Sequence, residues 1–216
     1  IGSGAVYSGT RYNFWNGLID QVRVFNKAIS ADEVTKLYNE IQCADTITTP
    51  ENYFNTVLYT GNATARSIGV GFQPDLTWIK SRSSSSYWHT LFDTVRGPLK
   101  RIFSNSTSAE SNTANTLTSF DSNGFTIGNQ AGQNANNITY VAWNWKGGGT
   151  PVTIAVNSIT GSTPSRVSSV SANTAAGFSI VSLDKPNTDT DTYGHGLSSV
   201  PEMIILKRTA SNDDWH

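Results

Sequence analysis

Charge is scarce in this chain. Asp, Glu, Lys and Arg make up 14% of the 216 residues, against a usual share of roughly 25%. Fifteen basic and sixteen acidic side chains leave a formal net charge of -1. A polyanion needs a dense cationic surface, so nucleic acid is not an expected partner. Cysteine is nearly absent: Cys43 stands alone, which excludes an intrachain disulfide, and three histidines beside it do not make a structural zinc site. No run approaches the roughly 20 apolar residues that cross a bilayer, and no cationic start leads into an apolar stretch. Membrane insertion is therefore not expected. Methionine occurs once, at Met203, and the first residue is Ile1; the sequence reads as a piece of a longer protein.

Neutral polar groups take the place of charge. The chain holds 26 Ser, 26 Thr, 20 Asn and 18 Gly, a composition that favours strands, turns and loops over helices. Aromatic residues reach 11%, enough apolar area to offset the entropy of ordering and to argue against disorder.

From Asn16 to Phe25, Leu18, Val22 and Val24 alternate with Ile19, Gln21 and Arg23, the period of a strand. A short helix is expected next, at about residues 30 to 41. Ser30 stands three residues before Glu33, the spacing of a capping box, with Ile29 and Val34 placed as a hydrophobic staple. Val34, Leu37, Tyr38 and Ile41 recur at helical spacing and are expected to face a core.

This stretch, Asn16-Gly17-Leu18-Ile19-Asp20-Gln21-Val22-Arg23-Val24-Phe25-Asn26-Lys27-Ala28-Ile29-Ser30 with Glu33 and Leu37-Tyr38, resembles the end of a laminin-G-like, concanavalin A-type jelly roll. The resemblance implies that residues 1–43 are the C-terminal remnant of such a domain, most of whose strands precede Ile1. It implies a structural role for Asp20, and it places any calcium ligands in the part of that domain that the sequence does not contain. No other cofactor is expected.

After a linker at residues 44–52 the pattern is all strand. Tyr53 to Tyr59, Leu76 to Lys80, His89 to Val95, Arg101 to Ser104, Leu117 to Phe120, Gly124 to Ile127 and Ile138 to Trp145 are bounded by Gly, Pro, Asn and Ser clusters. The expected fold is all-β, with jelly-roll-like β-sandwich modules in tandem. Ser104 to Asn115 and Gly128 to Asn137 read as loops, and Gly147-Gly148-Gly149 as a flexible exit.

The chain also repeats itself. Pro74-Asp75-Leu76-Thr77-Trp78-Ile79-Lys80 falls on Pro201-Glu202-Met203-Ile204-Ile205-Leu206-Lys207, and at the same offset Trp88-His89 falls on Trp215-His216. Upstream, Phe54 to Leu58 resembles Phe178 to Ser182. Residues 53–149 are thus expected to be one complete repeat, and 150–216 a linker and the opening part of a second, cut at its C-terminal end.

Gly71-Phe72-Gln73-Pro74-Asp75-Leu76, Leu91-Phe92-Asp93, Arg96-Gly97-Pro98, Leu117-Thr118-Ser119-Phe120-Asp121 with Gly124-Phe125, and Tyr140-Val141-Ala142-Trp143 with Trp145-Lys146 are similar to an uncharacterised repeat domain of tail-fibre and virion proteins of marine phages. Val170 to Asn173, Ala176 to Val181 and Gly194 to Leu197 fit its companion copy. The resemblance implies placement at a virion surface and no known chemistry.

Candidate chemistry is sparse. Asp75, Asp93, Glu110 and Asp121 are the carboxylates available for glycoside hydrolysis, which needs two of them roughly 5 to 10 Å apart. None stands in a catalytic motif: Asp75 follows Pro74 at a strand entry, and Asp121 opens the turn sequence Asp-Ser-Asn-Gly. No Gly-x-Ser-x-Gly elbow occurs. His89 and His216 each follow a tryptophan at the same repeat position, which points to a structural task, and His195 between two glycines reads as a turn residue. The run from Asp184 to Asp191 reads as solvated rather than as an ion site. Trp78, Trp143 and Trp145 are expected in the core, the last two sharing a strand face with Thr139 and Val141. Trp88, after the run Ser83 to Ser86 and Tyr87, is the best candidate for an exposed sugar-stacking ring. Tyr87 and Trp88 are therefore the candidate ligand-binding residues, and Asp20, Ser30, Glu33, Trp143 and Trp145 the structural ones.

These readings combine into a non-enzymatic structural and adhesive module of a tail fibre at a virion surface. Its expected partners are host cell-surface polysaccharide and other fibre subunits, with a homotrimer as the assembly to test. The alternatives are an accessory carbohydrate-binding region of a secreted polysaccharide-degrading enzyme, and an inert connector.

Overall fold

The computed structural model describes residues 6–7, 10–11, 25–40, 49–159, 163–183 and 190–216. Contacts divide the chain into two compact units, Ile1–Thr46 and Ile47–His216.

In the first unit, β1 (Val6–Tyr7) pairs antiparallel with β2 (Thr10–Arg11), and α1 covers Ala31–Glu40. The expected capping box is formed in both directions. The Ser30 amide donates to Glu33 Oε2 at 2.7 Å and the Glu33 amide to Ser30 Oγ at 3.2 Å, which supplies partners for groups that a helix start leaves open. The Ser30 amide first, then the Lys27 ammonium at 3.1 Å, holds the Glu33 carboxyl below its ordinary range. The expected core stripe is only partly covered: Leu37 is half-buried, but Val34 is 50% exposed. Asp20 and the strand around it lie outside the described residues.

The second unit is all-β and sandwich-like. A six-stranded antiparallel sheet has the order β3-β11-β5-β6-β7-β8. Its strands are β3 (Phe54–Thr60), β5 (Leu76–Ser81), β6 (Thr90–Asp93), β7 (Lys100–Phe103), β8 (Ser111–Asn112) and β11 (Thr139–Trp145). A three-stranded sheet of β4 (Arg66–Gly69), β10 (Gly124–Ile127) and β9 (Leu117–Asp121) completes the sandwich. Ile79, Phe92, Tyr140 and Ala142 from the first sheet and Ile68, Leu117, Phe125 and Ile127 from the second form one buried cluster.

The core contains a layer of polar side chains, each tied to a partner. Thr77 Oγ1 donates to Asn144 Oδ1 at 3.0 Å, Asn144 Nδ2 reaches the carbonyls of Asn55 and Ala142, and Gln133 Nε2 donates to Thr90 Oγ1. Residues 128–137, expected as loop, contain one helical turn, α2 (Ala131–Asn134). Its last residue, Asn134, is fully buried. Its Nδ2 donates to the carbonyls of Thr64 and Gly128, both at 2.8 Å, and its Oδ1 accepts the Asn62 amide at 3.0 Å. One amide side chain thereby closes two connections.

A third sheet, of order β12-β13-β14, is built from Val152–Ile154, Ser168–Asn173 and Phe178–Leu183. The triglycine that leads to it runs against β13. The Gly148 amide donates to Ser171 Oγ at 2.9 Å, and a Cβ at Gly148 would lie 2.4 Å from the Ala172 carbonyl oxygen, so only glycine fits. Further on, the Glu110 amide donates to the Thr209 carbonyl, the Asp213 amide to the Thr107 carbonyl, and Trp215 Nε1 to the Phe103 carbonyl at 2.8 Å. The sequence boundary near residue 149 is thus crossed by hydrogen bonds, and Ile47–His216 forms one unit.

Candidate functional site

Alternation along β11 defines two faces, and the structure turns them opposite to the sequence expectation. Tyr140, Ala142 and Asn144 are fully buried on the inner face, while Trp143 and Trp145 lie half-buried on the outer face with Thr139 and with Val141, itself 8% exposed. Period-two spacing separates the faces without saying which one meets a second layer. The core takes Tyr140 because its ring stacks on Tyr59 at 5.2 Å and its hydroxyl donates to the Ala131 carbonyl at 2.6 Å. Burial pushes the Tyr59 and Tyr140 phenols up, so both remain neutral donors.

Trp78, also expected in the core, is half-buried on the outer face as well. It is the cross-strand partner of Trp143, with ring centroids 5.7 Å apart at 68°. Its Nε1 donates to His89 Nδ1 at 3.0 Å, which leaves the imidazole proton on Nε2. Burial, then the nearby Lys80 ammonium, pushes the His89 pKa below 6.5 and keeps the ring in the neutral form this bond requires. Trp145 meets Phe54 at 5.0 Å and stacks on Phe178 at 6.2 Å. The outer face therefore carries aromatic rings on β3, β11 and β5, with Phe178 of the third sheet stacked on Trp145 and with Phe54 40% and Leu58 59% exposed.

The hairpin from Ser81 to His89 stands at the end of this face. Its serines build it: the Ser84 amide donates to Ser81 Oγ at 3.0 Å, the Ser86 amide to Ser84 Oγ, and the Thr139 amide to Ser83 Oγ at 3.0 Å. Lys80 Nζ donates to the Tyr87 carbonyl, and the His89 amide donates to Asn105 Oδ1 at 3.1 Å. Trp88 is 48% exposed and meets the Phe103 ring edge-on at 5.2 Å. Tyr87 is half-buried and helps raise the Tyr140 pKa. The structure thus presents Trp88 to solvent and leaves Tyr87 half-buried.

The carboxylates of the unit are tied into its framework. Asp93 Oδ2 accepts Arg96 Nε at 2.6 Å, and the same guanidinium reaches Glu110 Oε2 at 3.1 Å, with Asp93 and Arg96 nearly buried. Asp121 accepts Ser119 Oγ at 2.8 Å and Thr126 Oγ1 at 2.7 Å across the β9–β10 turn. Asp75, 1% exposed, accepts the Gly149 amide at 3.2 Å and Gln73 Nε2 at 3.5 Å, at the floor of an open cleft of about 460 Å³ bordered by Lys146 and Asn173. Among the described residues, no group of three or more His, Cys, Asp or Glu side chains is placed to hold a metal ion. His195, expected at a turn, accepts the Leu197 amide on Nδ1 at 3.2 Å, next to Gly196 at φ +76°. Of the run from Asp184 to Asp191, the part up to Asp189 lies outside the described residues.

Sequence reasoning missed Asn134 and the aromatic outer face. No local motif marks Asn134, because its partners Asn62, Thr64 and Gly128 become neighbours only on folding. The Phe54, Trp143, Trp145 set was visible as an alternation, and its wrong assignment came from equating large rings with the core. Comparison with known proteins gives no curated protein and no solved structure that matches. A family model does match, over residues 49–216. The span covers the whole sandwich and the third sheet, and the chain belongs to the family described as a domain of unknown function, DUF7483.

Proposed function

We propose that this chain is a non-enzymatic structural and adhesive module of a tail fibre or similar virion surface protein, and that it contacts host surface glycans. The observation that carries the adhesive reading is Trp88, 48% exposed on a hydrogen-bonded serine hairpin at the end of an aromatic sheet face. Flat apolar sugar faces pack on such rings, while hydroxyls pair with Ser, Thr and Asn around them. The hairpin fixes the indole before a ligand arrives, which lowers the ordering cost of binding. Weak sites of this kind gain strength when repeated along a fibre. The fibre setting itself rests on the sequence resemblance described above.

The second reading is an accessory carbohydrate-binding region of a secreted polysaccharide-degrading enzyme, favoured by the same indole and by the laminin-G-like segment. Screening the chain, multimerised on a bead or streptavidin, against bacterial surface polysaccharides tests the shared claim. Saturable binding to one class supports it, and uniform failure by folded protein leaves the connector reading. Release of reducing ends by the full-length protein would replace the fibre reading with the enzyme one.

A further inference from the structure

Val200, Met203, Ile204, Ile205 and Leu206 are 86%, 78%, 65%, 65% and 48% exposed. Apolar side chains in such a run normally mark a contact surface. The internal repeat says which one. Met203 to Lys207 is the counterpart of Leu76 to Lys80, which forms β5, with Ile79 fully buried and β11 on one side, β6 on the other.

The β6 side is already begun in the second copy. Leu206 and His216 exchange backbone hydrogen bonds at 2.8 and 3.0 Å, and Lys207 bridges to Trp215. Lys207 Nζ donates to the Asp213 carbonyl, and Lys80 Nζ to the Tyr87 carbonyl one repeat position further on. The second copy thus also turns back in a hairpin after its matching lysine, but one residue out of the first copy's register, in which Ile79 pairs with Thr90. On the β11 side, no strand lies against Met203–Leu206 among the described residues.

We propose that Met203–Leu206 is an acceptor for an added strand of the β11 type, an extended segment with the pattern Thr-Tyr-Val-Ala-Trp-Asn-Trp. The β5–β11 register pairs Ala142 with Ile79, Trp143 with Trp78, Asn144 with Thr77 and Trp145 with Leu76. Carried over by the repeat, it sets those four residues opposite Leu206, Ile205, Ile204 and Met203. Main-chain hydrogen bonds supply the attraction in strand addition, and alternate side chains supply the selection. The only charge between Val200 and Leu206 is Glu202, so little opposes such pairing. This inference does not depend on glycan binding.

The test titrates the full chain with a fluorescent peptide of residues 138–146, using a scrambled peptide and the variants Ile204→Lys and Ile205→Lys as controls. Saturable one-to-one binding is expected, with slowed amide exchange at Met203 and Ile205, whose amides face the open edge while that of Leu206 already donates to His216, and affinity weakened at least about tenfold by scrambling or by either lysine. Both side chains are largely exposed, so the variants should keep the parent melting temperature; the exchange footprint decides without them if they do not. Absence of saturable binding, equal binding of the scrambled peptide, or dimerisation through residues 203–206 that the peptide fails to displace would each overturn the proposal.

Discussion

Asn134 shows how much a single side chain can fix. It makes three hydrogen bonds from a fully buried position, and cutting it back leaves the Asn62 amide and two carbonyls without those partners. Asn134→Ala is expected to destabilise the unit by about 2 to 4 kcal/mol, read from the urea midpoint at unchanged slope. A loss under about 0.5 kcal/mol would mean that water replaces the side chain. His89 offers a pH test. Its folded-state pKa lies below 6.5, so the native protein binds fewer protons than the unfolded chain in that window. The stability contributed by neutral His89 is complete above 6.5 and declines as pH falls through that value toward the folded pKa. The urea midpoint should drop between about pH 7.5 and about pH 5, and His89→Phe should shrink the drop. An equal drop in the variant would place the pH dependence elsewhere.

At the scale of elements, legibility tracked how local the signal is. The Ser30 and Glu33 box was readable because both partners sit three residues apart, and the strands β3, β5, β9, β10 and β11 because alternation or turn sequences delimit them. Arg66–Gly69 escaped notice, since a four-residue strand with the single large apolar residue Ile68 has no period to detect. α2 was hidden among Gln, Asn and Gly because its packing, rather than its helix propensity, holds it. Which face of β11 is inward depends on where the second sheet lies, a long-range fact absent from the strand itself. Two element-scale predictions follow from this local wiring. Ser30→Ala should lower the exchange protection of the first-turn amides of α1, a cap loss of about 1 kcal/mol. Arg96→Met removes the cation shared by Asp93 and Glu110, and the nearly buried Asp93 carboxylate left behind should cost about 3 to 5 kcal/mol in the thermal melt; a change within about 0.5 kcal/mol would show that water reaches it.

For the whole molecule, the neutral polar surface and the outward aromatic face belong together. With a net charge of -1 and 14% charged residues, long-range electrostatics contribute little to association. The proposed glycan recognition would then rest on ring faces, hydroxyls and amides at short range, and such contacts should change little with added salt. The sequence made the composition and Trp88 legible as candidates. It could not show that Trp78, Trp143 and Trp145 lie half-buried on the outer face, or that Tyr87 is half-buried. The central claim is tested most directly by equilibrium titration of the chain and of Trp88→Ala with the surface polysaccharide that the screen selects. The account predicts saturable binding by the parent, a loss of at least about tenfold in the variant at an unchanged melting temperature, and a smaller effect of Tyr87→Ala. Unaltered affinity in a folded Trp88→Ala protein would contradict it.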